Sequence, residues 1–158
     1  MKVLLTLGAL LGLLVFAACG DDDGGGDGAT TAPTTATEGT EVDVELQEFS
    51  VLPGVDSVEA GEVTFNVENT GPDDVHEFVV IKTDLDPDAL PTVDDGSVDE
   101  EGAGIEVIGE IEDIPVGETQ SVTLDLEAGS YALICNIFDE TENEAHYAEG
   151  MRTAFTVE

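Results

Sequence analysis

From Glu41 onward the chain alternates. Val42, Val44 and Leu46 are separated by acidic residues, and Val63, Phe65 and Val67 alternate with polar residues within Glu62 to Glu68. Side chains two positions apart share one face of an extended chain, so each run predicts a strand with one face in a core and the other in water. The period returns at Ile105, Val107 and Ile111, and again at Val122, Leu124 and Leu126. It closes in Arg152 to Val157, where Ala154, Phe155 and Val157 are the apolar content. Val75 to Ile81 is nearly continuous and predicts a more fully buried strand, and Tyr131 to Ile137 is an apolar strand that delivers Cys135. A loop centred on Pro53-Gly54, the pair Ala60-Gly61, the cluster Asn69 to Asp74, Pro115-Val116-Gly117 and Glu127-Ala128-Gly129 supply the turns between strands. No long amphipathic helix and no repeat stands out. The pattern predicts an all-β fold, a Greek-key β-sandwich of about seven to eight strands.

The ends read differently. Met1-Lys2, an apolar run from Val3 to Phe16 and the small residues Ala17-Ala18 form a secretory signal over 1–18, too short to span a bilayer comfortably. With Cys19 at the cut site, the segment resembles a prokaryotic lipoprotein signal, Phe16 standing where Leu is usual. That resemblance implies a lipid on Cys19 and a membrane anchor facing the extracellular or periplasmic side. The alternative is an ordinary signal cut near Ala18. Residues 19–40, rich in Asp, Gly and Thr, bury too little to offset the entropy of ordering and predict a flexible tether. The domain then covers 41–158, enough for a modest two-sheet core.

Charge narrows the partners. The chain has 37 acidic and 3 basic residues, a formal net charge of −34. Nucleic acid is bound by basic surfaces that displace counterions, so this composition excludes it as a partner. A field of this sign favours cationic partners. Thr83 to Gly104 is the least regular stretch, and it reads as an exposed acidic insertion with a helical turn near Pro87 to Leu90. Asp84, Asp86 and Asp88 have the spacing of a calcium loop, but Ala89 replaces the required Gly, and Pro87 and Asp95 also break the pattern.

The candidate chemistry lies in YALICNIFDETENEAHYAEGMRTAF, Tyr131 to Phe155. Ten residues separate Cys135 from His146, and four separate His146 from Met151. The one other histidine, His76, opens the strand HEFVVIK. Two histidines, one cysteine and a weak axial methionine are a ligand set suited to copper in electron transfer. In an exported chain Cys135 has no disulfide partner once Cys19 is acylated or tethered, which leaves a buried thiol or a ligand. A cysteine–histidine hydrolase is the catalytic alternative, but no third orienting residue can be named and Met151 would go unexplained.

The phrases SVEAGEVTFNVENTG, HEFVV, EAGSYALICN and HYAEGM, over roughly Val42 to Val157, resemble the cupredoxins, the blue copper proteins. The resemblance implies a cupredoxin-like sandwich with one type 1 copper, His76, Cys135 and His146 as equatorial ligands and Met151 as the axial one. It also implies that His146 lies near the surface as the electron port. Two features depart from the small carriers: the ten-residue spacing after Cys135, and Glu77 where Asn or Ser is common. The expectation is therefore an exported, lipid-anchored electron carrier, not an enzyme, working with redox partner proteins that present a basic docking surface. Copper storage or delivery, and a metal-free docking module, are the alternatives.

Overall fold

The computed structural model describes residues 39–158. The expected signal segment 1–18, Cys19 and most of the expected tether lie outside the described residues. In chain order the strands are β1 (Thr40–Gln47), β2 (Ser50–Pro53), β3 (Ser57–Val58), β4 (Gly61–Asn69), β5 (His76–Lys82), β6 (Glu106–Ile114), β7 (Thr119–Leu126), β8 (Gly129–Ile134), β9 (Phe138–Asp139), β10 (Glu144–Ala145) and β11 (Arg152–Val157). A 3-10 turn, Pro87–Ala89, and a one-turn helix α1, His146–Glu149, complete the elements.

Two sheets face each other across the core. One has the order β2-β1-β4-β7 and the other β3-β11-β8-β5-β6, with β9 and β10 as a separate ribbon. β1 runs parallel to β4 and β11 parallel to β3, whereas β4–β7, β5–β6, β5–β8 and β8–β11 are antiparallel. This is a Greek-key β-sandwich, with seven strands of six residues or more. The alternation seen in the sequence is the burial pattern: Val42, Val44 and Leu46 point inward from β1, and Val63, Phe65 and Val67 from β4. Phe65 sits 5.3 Å from Phe78 and 5.7 Å from Phe155 between ring centroids, tying the two sheets together. Each such fully buried side chain contributes about 1.5–3 kcal/mol relative to exposure.

Several details differ from the sequence reading. The Pro53-Gly54 region is not all loop, because β2 pairs back onto β1 with Val44 opposite Pro53. β5 begins at His76, and Val75 is exposed. β8 stops at Ile134, so Cys135 is the first residue beyond it. Ala154 faces outward from β11, because alternation puts Phe155 and Val157 on the core side.

The larger difference concerns residues 83–104. The expected helical turn is present at Pro87–Ala89, but the stretch is not simply exposed. Its Leu90 and Val98 are buried in a second cluster with Val79, Ile81, Ala132, Ile134 and Tyr147. This explains the continuous apolar run of β5: Phe78 and Val80 enter the main core, while Val79 and Ile81 are covered by the insertion.

Candidate metal centre

Strand pairing brings three chain-distant segments to one end of the sandwich. β5 and β8 are antiparallel neighbours with Val79 opposite Ile134, so the start of β5 and the end of β8 lie at the same end. β11 starts beside that end, with Arg152 opposite Ile134. His76 heads β5, Cys135 follows β8, His146 heads α1 and Met151 immediately precedes β11.

The turn that presents His76 is fixed by Asn69, which is fully buried. Its Nδ2 donates to the carbonyls of Asp74 and Ile114, both at 2.8 Å, and its Oδ1 accepts the Gly71 N–H at 2.8 Å. Gly71 has φ +58°, and a Cβ there would lie 2.7 Å from Val116 Cγ1. On the other side, the Cys135 N–H donates to the Met151 carbonyl and the Met151 N–H donates to the His146 carbonyl, each at 3.0 Å. Gly150 caps α1 with φ +130°, a conformation that side-chain-bearing residues rarely adopt.

Three donor atoms converge. His76 Nδ1 is 3.2 Å from His146 Nδ1 and 4.0 Å from Cys135 Sγ, and Cys135 Sγ is 3.4 Å from His146 Nδ1. A triangle with these sides has a point about 2.1 Å from all three corners, the length of a metal–imidazole bond and close to a metal–thiolate bond. His76 and Cys135 are fully buried and His146 is 2 % exposed. Met151 is fully buried in the same core cluster as Cys135. The donor set is soft and nitrogen-rich, and it fits a single copper ion.

The protonation states suit the same purpose. Burial is the main cause holding the His76 pKa below its ordinary value, with His146 adding to it, so the ring is neutral near pH 7 and has a lone pair to give. Burial pushes the Cys135 thiol up to about 12, against N–H groups of Glu77 and Ile137 that favour the thiolate. The backbone N–H of Glu77 donates to Cys135 Sγ at 3.2 Å. The sulfur thus keeps a donor although Glu77 stands where Asn or Ser is common. The Glu77 carboxylate instead joins Glu100 and Glu110 in an acidic group beside the site.

Sequence reasoning missed the residues around the candidate ligands. The turn after β1 touches both histidines: Glu48 Oε1 lies 3.7 Å from His76 Nε2, and the Phe49 ring packs edge-on to His146 with centroids 5.5 Å apart. His146 is consequently less accessible than an electron port near the surface implies.

No protein-family model and no curated protein sequence matches the chain. Solved structures do match its fold. Dithionite-reduced auracyanin from the photosynthetic bacterium Roseiflexus castenholzii aligns over 75 % of this chain and 97 % of its own, at 21 % identity and a TM-score of 0.55. Reduced rusticyanin aligns over 75 % of this chain and 76 % of its own, at 19 % identity and a TM-score of 0.52. The chain has the cupredoxin fold.

In this cupredoxin-like domain the long loop after Cys135 is clamped from outside by the 83–104 insertion. Tyr147 on α1 donates its hydroxyl to the Pro87 carbonyl at 2.7 Å and accepts the Leu90 N–H at 3.1 Å. Asn136, next to Cys135, accepts the Val98 N–H at 2.6 Å and donates to the Val98 carbonyl and to Glu100. Arg152 lies over the Tyr147 ring, 5.0 Å from its centroid, and bonds Asp88 at 2.7 Å. The ten residues after Cys135 are therefore tied at their first member, Asn136, and just past their last, at Tyr147.

Proposed function

We propose that this cupredoxin-like domain binds one type 1 copper through His76, Cys135 and His146, with Met151 as the weak axial ligand. It carries single electrons between redox partners and catalyses no bond chemistry of its own. The observation that carries this reading is the buried triangle of two imidazole nitrogens and one sulfur around a common point at metal-bond distance. Copper supplies a one-electron couple when bound there.

The chain's own residues do the rest. His76 offers a neutral ring nitrogen, Cys135 gives up its proton when it ligates, and the Glu77 N–H stabilises the resulting sulfur charge. Burial of the ligands keeps water from the ion, and the tied loop limits rearrangement between oxidation states. Electrons enter and leave at the His146 edge, with the half-buried Phe49 ring against it. A lipid on Cys19 and the tether 19–40 hold the domain on the outer side of the cell membrane, where its acidic surface meets partners with basic docking surfaces. Near-complete burial of the ligands suits a retained ion better than one handed on, which favours the carrier over storage or delivery.

The test is metal content and the visible spectrum of the purified protein. One copper per chain with an intense thiolate-to-copper band, lost in Cys135→Ser, is expected. A protein that stays colourless with Cu(II) under oxidising conditions would leave a metal-free docking module, and bound copper without reversible voltammetry would assign storage or delivery. Detergent-phase partition, abolished in Cys19→Ala, tests the anchor on the same material.

A further inference from the structure

Two buried polar atoms close to the centre lack a hydrogen-bond partner among the described residues, His76 Nε2 and Glu48 Oε2. Their side chains are neighbours, with Glu48 Oε1 3.7 Å from His76 Nε2. The His76 side chain is fully buried and that of Glu48 is 11 % exposed. Buried polar groups are nearly always paired, and an unpaired one costs about 1–3 kcal/mol. At 3.7 Å the two side chains stand just beyond hydrogen-bond distance, and a small closure gives the ring nitrogen a partner if the ring donates and the carboxylate accepts.

The Glu48 carboxylate is built into its place. Its Oε1 accepts the Asp74 N–H at 2.7 Å and the Asp73 N–H at 3.1 Å, from the turn that leads into β5. Two backbone N–H groups thus fix the carboxylate behind the imidazole. The Nδ1 atom on the opposite side of the ring faces Cys135 and His146.

We propose that Glu48 is a positioning residue for the metal centre: its carboxylate accepts the Nε2–H of His76, sets the tautomer that leaves Nδ1 free to ligate, and favours the oxidised ion. This rests on the copper reading for its effect on the metal but not for the pairing of His76 with Glu48, which needs no ion. A carboxylate behind a ligating imidazole fixes the ring and raises its basicity. Added negative charge stabilises Cu(II) over Cu(I). The site therefore has a lower reduction potential than the same four ligands without Glu48.

The experiment compares wild type with Glu48→Gln and Glu48→Leu. In the metal-free protein, histidine-selective nitrogen NMR is expected to find His76 protonated on Nε2, with its proton shifted downfield and slow to exchange in wild type, shifted back upfield in Glu48→Gln and exchanging fast in Glu48→Leu. A His76 protonated on Nδ1, or one whose proton is indifferent to both substitutions, overturns the proposal even if both variants fold poorly or no copper binds. In the copper-loaded proteins Cu(II) affinity should fall about 10- to 100-fold in Glu48→Leu. The potential should rise in both variants, by about 59 mV for each factor of ten lost by Cu(II) alone. Wild type without the thiolate band refutes the copper reading separately, while a coloured wild type with unchanged variant potentials refutes the role of Glu48.

Discussion

At the scale of single residues, Asn69 holds the turn that presents His76, and Glu48 is the residue proposed to hold its ring. Asn69 uses both amide hydrogens and its carbonyl on the backbone groups of Asp74, Ile114 and Gly71. Replacing it by Ala strands buried backbone groups and should cost about 2–3 kcal/mol. Urea unfolding of the metal-free protein checks this, and copper affinity should fall with it because His76 loses its fixed turn. An Asn69→Ala protein as stable as wild type would mean that the turn is held by other contacts. The candidate ligands were legible in sequence because the chain has two histidines and, past Cys19, one cysteine, so their spacing stands out. Glu48 was not, because one supporting carboxylate among 37 acidic residues has no mark of its own. Asn69 looked like a turn former, and its burial follows from a strand, β6, that lies 45 positions away at Ile114.

At the scale of elements, alternation made five of the seven main strands readable, and continuous apolar runs marked β5 and β8, which are buried on both faces. The 83–104 insertion was not readable. Leu90 and Val98 are isolated apolar residues in an acidic stretch, with no period to reveal that they cover the outer face of β5. The consequence is mechanical: the insertion, α1 and the residue after Cys135 form one assembly, joined through Tyr147 and Asn136. Tyr147→Phe removes two hydrogen bonds but little volume and should lower stability by about 1–2 kcal/mol. A freer ligand loop should also slow electron self-exchange, because more rearrangement would accompany each change of oxidation state. Stopped-flow or NMR exchange rates in the copper protein check it. A stability loss with an unchanged exchange rate would confine the insertion to a structural role.

At the scale of the whole molecule, charge couples to folding through Glu77. Burial first, and then repulsion from Glu100, Glu110, Glu112 and Asp113, raises its pKa to about 7. The folded domain therefore binds a proton there that the unfolded chain, with an ordinary carboxylate near 4.5, has released. Stability from this group is fully present below about pH 4.5, falls as pH rises toward 7 and is flat above. His76 works in the opposite direction, because its lowered pKa makes folding more favourable as pH rises toward 6.5. The two contributions overlap in pH, so a single melting curve does not separate them. Comparison with Glu77→Gln does: the variant should gain on wild type progressively from about pH 4.5 to 7 and hold a constant advantage above, in thermal melts of the metal-free protein. Added salt screens the four neighbouring carboxylates but leaves burial untouched, so the advantage should shrink at high ionic strength without vanishing. An advantage that salt abolishes would make repulsion the whole cause, and one that is the same at every pH would mean that Glu77 does not change its protonation on folding.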